Sequence, residues 1–397
     1  MGSVRKDKKS LYIDQEALAT LALVKEGILS PVDKLMNKKE SDEVEKTSSY
    51  NGRFFPFPFI LAPSGKRNEK VLQNLKSGEV IELVVDGVKC GELKVDDVFE
   101  IDRLKRVEKI FATTDVNHPG VKDTLKRLGK YAVSGEYSVD TTSVKEIKQQ
   151  IQKQKELTNA KKVTAIMMAG KPLHRGHERM IRIALDNSDM IVLFLLKPYK
   201  KDKFSYELRY KALKFYVDNF LPKNKVLIVP FENTYIFAGY NNIFLDSLAA
   251  KNFGCDAISV GQNHSGIGMF YDKYGTNSIV DRFKSEEFEI EVSSEYVYCD
   301  ECKTLVSTKT CPHGSHHHIR YISEFIEGIM LEGLLPPAVL VRKEISAIFL
   351  SSLYKNRWKK LINKFPDFFP SSGLLEELDD EKFYLKIVDL HQTVSLT

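Results

Sequence analysis

From residue 162 onward the hydrophobic and polar positions follow two alternating periods. The runs 162–168, 190–196, 225–230 and 256–261 are short and apolar, as buried strands are, whereas 174–187, 205–219 and 240–252 repeat their apolar residues at helical spacing. Repeated strand–helix units predict an α/β domain with a parallel sheet and right-handed crossovers, which takes ligands at the carboxyl ends of its strands. Residues 1–158 read differently. Phe54 to Leu61, Glu79 to Asp86 and Gly91 to Ile101 are strand-like runs punctuated by Ser77-Gly78 and Asp86-Gly87, which predicts a small β-barrel with flanking helices. Ser143 to Lys162, rich in Lys, Gln and Glu, predicts a polar helix or linker and puts a domain boundary near residue 158. Beyond about residue 325, a helical apolar pattern from Val339 to Leu353, the single Trp358 and a tail broken by Pro366 and Pro370 suit packing or a subunit contact. The expected domains are therefore 1–158, 159–325 and 326–397.

Composition narrows the classes. With 397 residues and 43% hydrophobic content the chain has enough apolar surface for two or three globular domains. It has no apolar run of membrane-spanning length and no signal-peptide pattern, so the expectation is a cytoplasmic protein. A net charge of +5 is spread through segments of mixed sign, which favours small anionic ligands and predicts no nucleic-acid or membrane partner. No G-x4-G-K-[ST] loop occurs.

The densest chemistry lies in Met168-Ala169-Gly170-Lys171-Pro172-Leu173-His174-Arg175-Gly176-His177-Glu178. It sits where a predicted strand turns into a predicted helix. The N–H groups of a first helical turn and the positive end of the helix dipole favour an anion, and His174 and His177, three residues apart, share one face. Two solvated histidines at a helix start are the bland alternative, which the strand–glycine–helix context opposes. A second glycine-rich turn, Gly261-Gln262-Asn263-His264-Ser265-Gly266-Ile267-Gly268, follows the predicted strand 256–261 and offers backbone N–H groups, amides and another imidazole.

Five cysteines divide into isolated Cys90 and Cys255 and the cluster Cys299, Cys302 and Cys311, followed by His313, His316, His317 and His318. Three thiolates and an imidazole at this spacing predict a closed, structural Zn2+ site. His316 allows a comfortable loop after Cys311 and is the expected fourth ligand, with His313 as the alternative.

H-x-G-H after a strand and a glycine loop resembles the nucleotidyltransferase signature. The wider chain resembles the ATP sulfurylase family: Asp14 to Thr20, Gly27 to Val32 and Thr114 to Val121 are similar to its N-terminal domain, and Pro172 to Glu178, Ala238-Gly239, Gly254-Cys255 and Gly261 with His264 to Gly266 to its catalytic domain. The cysteine cluster resembles a zinc knuckle of some members, and Leu334 to Pro337 the C-terminal helical segment. The resemblance implies a Rossmann-like nucleotidyltransferase domain with a parallel sheet, an N-terminal PUA-like β-barrel domain and a C-terminal helical segment. It further implies transfer of AMP from ATP to sulfate with release of pyrophosphate, ATP with Mg2+, structural Zn2+, and a homo-oligomer. In that scheme His174, His177 and Lys171 are catalytic. Gly170, Leu173, Gly261, Gln262, Asn263, His264 and Gly266 hold the nucleotide, and Met168, Lys171 and Lys197 face the acceptor.

The chain departs from the family where sulfate is bound. Met168, Gly170 and Lys171 occupy the places of a Gln-x-Arg-Asn motif, Gly261-Gln262-Asn263-His264 replaces Gly-Arg-Asp-His, Lys197-Pro198 replaces His-Pro, Ile236-Phe237 stands where an arginine is usual, and Glu324 to Gly328 replaces Gly-Thr-x-x-Arg. Each charge-assisted hydrogen bond to an oxyanion contributes about 1.5–3 kcal/mol. Lys171, Arg175, Lys197, Lys200, Lys201 and Lys203 are the cations at hand to compensate, although a lysine lacks the planar fork of arginine. Three expectations stand: a sulfate adenylyltransferase; an adenylyltransferase acting on another acceptor such as a phosphonate, phosphate ester or small acid; or a non-catalytic nucleotide-binding relative.

Overall fold

The computed structural model describes residues 9–199, 202–261, 288–357, 359–360 and 379–392. The chain divides into two compact units, Met1–Ala165 with Phe231–Val292 and Ile166–Pro230 with Ser293–Thr397.

The first unit opens with β1 (Ser10–Tyr12), α1 (Gln15–Lys25), α2 (Lys38–Thr47), β2 (Ser49–Tyr50), β3 (Arg53–Phe54), β4 (Leu61–Pro63) and α3 (Lys66–Gln73). It continues with β5 (Val80–Val85), β6 (Val88–Glu100), α4 (Arg103–Phe111), α5 (Pro119–Arg127), β7 (Leu128–Val139) and α6 (Thr142–Thr158). Five of these strands form a sheet in the order β1-β5-β6-β7-β4. Its β5–β6 hairpin turns on Asp86 and Gly87, both at positive φ (49° and 82°), the geometry that an Asp-Gly pair supplies in a two-residue hairpin. The expected strand from Phe54 to Leu61 does not form. Pro56 and Pro58 lack the N–H groups a ladder needs, so β3 stops at Phe54, and Phe55, Phe57 and Phe59 instead fill the interior of the unit. The polar stretch after residue 141 is a single helix, α6, that buries only Val144, Ile147 and Ile151.

Next come β8 (Val163–Met168), α7 (Arg175–Asp186), β9 (Met190–Pro198), α8 (Tyr206–Phe220), β10 (Val226–Asn233), α9 (Asn242–Asn252), β11 (Ala257–Val260) and β12 (Glu289–Val292). The five strands form a parallel sheet in the order β10-β9-β8-β11-β12, as the alternating periods predict. The division between the units passes through β8 and β10. All six residues of β8 are buried, the mark of a strand covered on both faces, and chain order reverses at this strand, with β9 on one side and β11 on the other.

The second unit is completed by β13 (Tyr296–Cys299), β14 (Thr304–Ser307), β15 (His318–Arg320), α10 (Ser323–Leu331), α11 (Lys343–Leu353) and α12 (Asp380–Gln392). β14-β13-β15 form a small antiparallel sheet. Within this unit α7, β9, α8, α10 and α11 share one apolar core, in which Phe204, Tyr216 and Phe349 are fully buried. No described helix is long and apolar enough to cross a membrane.

Candidate active site

The chain leaves β8 through Ala169 and Gly170. Gly170 has φ +61°, and a Cβ there would lie 3.6 Å from Leu195, so the demand for glycine at this turn is conformational and not steric. Arg209 fixes the turn from below. It is 1% exposed, its Nη1 donates to the carbonyls of Ala169 and Leu196, and its Nε donates to Phe204 O at 3.1 Å. The ends of β8 and β9 are thereby tied to one guanidinium.

α7 begins with an unusual cap. His174 is the N-cap residue: its Nδ1 accepts the N–H of His177 at 3.3 Å, and Nδ1 of His177 accepts the N–H of His174 at 3.4 Å. This is a capping box built from two imidazoles in place of Ser/Thr and Glu/Gln. The rings stack, with centroids 3.6 Å apart and an interplanar angle of 17°. Burial pushes the His177 imidazole down to about 4, and burial together with the neighbouring His177 holds His174 well below the usual range. Both rings are therefore neutral near pH 7. Since each Nδ1 accepts a backbone N–H, the ring proton resides on Nε2, and each ring is left with one Nε2–H to donate.

The expected free N–H groups of this helix start are largely taken: Arg175 N donates to Leu340 O (2.8 Å) and His177 N to His174. The imidazole pair and the helix dipole remain available to an anion. Arg175, a candidate cation by sequence, donates its Nε to Ala338 O at 3.2 Å and pairs through Nη1 with Glu178 at 3.2 Å. Glu178, 5% exposed, is also held by Arg342 Nε at 2.9 Å.

Lys171 forms an ion pair with Asp202. A second carboxyl, that of Glu327, is raised above its usual range by burial and then by Asp202, against the opposing pull of Lys171 and Lys203. Lys197 is exposed, its Nζ 5.9 Å from the centre of the Tyr206 ring. Met168 is 4% exposed and Leu173 2% exposed; both belong to the apolar core of the second unit. Gly261 directly follows β11. Gln262, Asn263, His264, Gly266 and the rest of that turn lie outside the described residues, as do Lys200, Lys201 and Trp358.

The cysteine cluster assembles with His313. Its Nδ1 lies 3.4, 3.2 and 3.7 Å from the sulfurs of Cys299, Cys302 and Cys311, and Cys302 and Cys311 are 3.8 Å apart. A tetrahedral zinc site with bonds of about 2.3 Å to sulfur and about 2.0 Å to nitrogen separates its ligand atoms by roughly 3.5–3.8 Å, so the donor set fits. The backbone N–H of Cys302 points at Cys299 Sγ from 3.4 Å. His316 instead lies against His317, with ring centres 4.1 Å apart. The tight Cys311-Pro312-His313 link brings its imidazole back to the thiols without a longer loop.

Sequence reasoning named His174, His177 and Gly170 but missed Asp202, Arg209, Tyr321 and Arg342. Only Asp202 had a local signal, as the lone acid in Lys200-Lys201-Asp202-Lys203.

A parallel sheet whose reversing strand leads through a glycine turn into a helix capped by paired neutral imidazoles defines a nucleotidyltransferase of the H-x-G-H kind. The profile of the ATP-sulfurylase family matches residues 142–352, and that of the PUA-like domain matches residues 3–141. The chain belongs to the ATP-sulfurylase family. It is 28% identical over 338 residues to the sulfate adenylyltransferase of Psychrobacter sp. (strain PRwf-1), covering 81% of this chain and 80% of that one. It is 27% identical over 367 residues to the sulfate adenylyltransferase of Persephonella marina (strain DSM 14350 / EX-H1), covering 87% and 91%. Among solved structures, the hexameric APS kinase from Thiobacillus denitrificans shares the fold, with a TM-score of 0.63 at 17% identity over 87% of this chain. The chain spans 63% of that protein's length.

Proposed function

We propose that this protein transfers AMP from ATP to sulfate: a sulfate oxygen attacks the α-phosphorus, the bond to the bridging oxygen breaks, and pyrophosphate leaves with the electron pair. The observation that carries the reading is the stacked pair His174–His177 at the start of α7. Two neutral rings, each with an Nε2–H to give, are suited to take up charge that grows on phosphate oxygens, with no proton to move and no covalent intermediate. Gly170, Leu173 and Gly261, with Gln262, Asn263, His264 and Gly266, are assigned to the nucleotide, Lys171 to charge stabilisation, and Met168 and Lys197 to the acceptor side. Mg2+ would accompany ATP and neutralise its phosphates. Cys299, Cys302, Cys311 and His313 would hold a structural Zn2+.

A second reading, an acceptor other than sulfate, is favoured by one observation. Lys171, the cation nearest the lost Gln-x-Arg-Asn motif, is already paired with Asp202, and Glu327 adds a second carboxyl there. With the lysine's charge offset by carboxyl groups, such a place attracts a dianion less, and sulfate loses its electrostatic advantage over a neutral or singly charged acid. Pyrophosphate release from ATP and Mg2+, measured with sulfate, without an acceptor, and with phosphonates, phosphate esters and small acids, decides between them. Sulfate-dependent release that His177→Ala abolishes supports the first reading. Release with another acceptor only supports the second, and no release with any acceptor rejects both.

A further inference from the structure

We propose that Tyr321 is a positioning residue for the His174–His177 pair, held in place by the same small sheet that carries the cysteine cluster. The inference rests on the adenylyltransferase reading only for its kinetic consequence. His174 stacks against two rings: His177, with centres 3.6 Å apart, and Tyr321, with centres 5.5 Å apart and an interplanar angle of 23°. Gly176 completes the fit. A Cβ at Gly176 would come within 3.2 Å of His174 Nδ1 and Cε1 and within 3.2 Å of Tyr321 Cγ, closer than such contacts settle without one ring giving way. The glycine of H-x-G-H is thus the gap through which the tyrosine reaches the catalytic imidazole.

The tyrosine is anchored at both ends. Its hydroxyl donates to Val339 O at 3.0 Å. Arg175 donates to the flanking carbonyls, Nε to Ala338 and N to Leu340, so three consecutive carbonyls clamp the tyrosine and the start of α7 to one strip of chain. On its N-terminal side Tyr321 directly follows β15, whose His318 is paired in register with Cys299 of β13 and lies 3.3 Å, through Nε2, from Cys311 Sγ. The other end of β13 is also fastened to α7, with the Arg179 guanidinium 5.6 Å from the centre of the Tyr296 ring. A metal that closes the cluster would hold Cys299 and Cys311, the two cysteines that β15 meets through His318, and β15 delivers Tyr321 to His174. Charged groups near the pair are Arg175 and Glu178 on α7 itself and Arg342 from the segment before α11.

The test uses the full chain with its metal and two substitutions, Tyr321→Leu and Tyr321→Phe. Imidazole titration followed by NMR on 13C-labelled histidine reads the environment of the pair without reference to catalysis, and kcat and KM for ATP read its alignment. In Tyr321→Leu the low His177 midpoint climbs toward the ordinary range, and kcat falls between about tenfold and a hundredfold with KM for ATP changed less than about threefold. Tyr321→Phe, which keeps the ring, stays within about threefold of the parent on every measure. Gly176→Ala, whose methyl would press on both the His174 and the Tyr321 rings, gives the Leu signature if Tyr321→Leu does not fold. Chelation of the metal from the unsubstituted chain raises the same midpoint. A folded Tyr321→Leu with unmoved midpoint and kcat overturns the positioning role, and an unmoved midpoint after chelation overturns the link to the cluster. If the unsubstituted chain turns over no acceptor, the adenylyltransferase reading fails while the NMR arm still decides this inference.

Discussion

Glu178 and Arg342 meet within the second unit, Nε to Oε1 at 2.9 Å, with the guanidinium lying 3.8 Å from the centre of the Phe220 ring. The carboxylate is 5% exposed and is shared with Arg175. Removing one partner of a buried ion pair leaves the other charge uncompensated and costs about 3–5 kcal/mol. Glu178→Ala is therefore expected to lower Tm by on the order of 10 °C, and Glu178→Gln by less because its amide oxygen still accepts from Arg342. Thermal unfolding checks this; equal Tm values for Ala, Gln and parent would show that the pair contributes nothing.

One substitution separates the helix cap that His174 makes from the phosphate contact proposed for it. Asn is among the best N-cap residues, and its side-chain oxygen accepts the N–H of residue 177 as Nδ1 does now, but it brings no Nε2–H to a phosphate. His174→Asn is expected to hold Tm within a few degrees of the parent while turnover falls about 10²–10³-fold. His174→Ala is expected to lose both, with about 1 kcal/mol of stability gone. Activity retained in His174→Asn would assign this residue to the helix cap alone.

The low His177 midpoint makes stability depend on pH in a defined direction. Between about 6.5 and about 4 the unfolded chain binds a proton on this imidazole that the folded chain refuses. The unfolded state then carries more protons, so stability rises with pH across this window and its full value is reached above about 6.5. The span corresponds to about 3 kcal/mol, each pKa unit being about 1.4 kcal/mol. Urea midpoints measured from pH 4.5 to 7.5 for the parent and for His177→Gln test it, since other titrating groups are common to both. Parallel curves would contradict a His177 imidazole that stays neutral in the folded chain across this window.

Metal content distinguishes the two histidines that spacing alone left open. His313→Ala is expected to lose most of its bound zinc under mild chelation, and His316→Ala to keep one zinc per chain. Elemental analysis of both purified variants reads this directly. The opposite pattern would place His316 in the site.

How far the residues disclosed this structure depends on the range over which each contact acts. The β/α alternation after residue 162 is a local signal and survives intact, because β8 and its neighbours are buried on both faces and must be apolar throughout. The H-x-G-H run likewise announces a helix start, although histidine is not among the usual caps. Phe54 to Leu61 misleads because its hydrophobicity suits a strand while Pro56 and Pro58 lack the N–H groups a ladder needs. At the site, short-range reading finds the imidazoles but not the partners that the cations take. Arg175 is committed to Glu178 and Ala338, and Lys171 to Asp202, partners that folding alone supplies. Tyr321 and Arg342 lie 147 and 168 positions beyond His174 in the chain, and no periodicity links them to it.

That separation has a consequence for synthesis. The strip Ala338 to Leu340, which receives hydrogen bonds from both Arg175 and Tyr321, leaves the ribosome well after β8 and α7. A nascent chain ending at α9 already holds the whole H-x-G-H motif yet has neither the third ring of the stack nor the carbonyls that seat it. Maturation of the histidine pair thus waits until the strip Ala338 to Leu340 has been made, and a chain cut before Leu340 carries the H-x-G-H motif complete and the seat of its imidazoles unfinished.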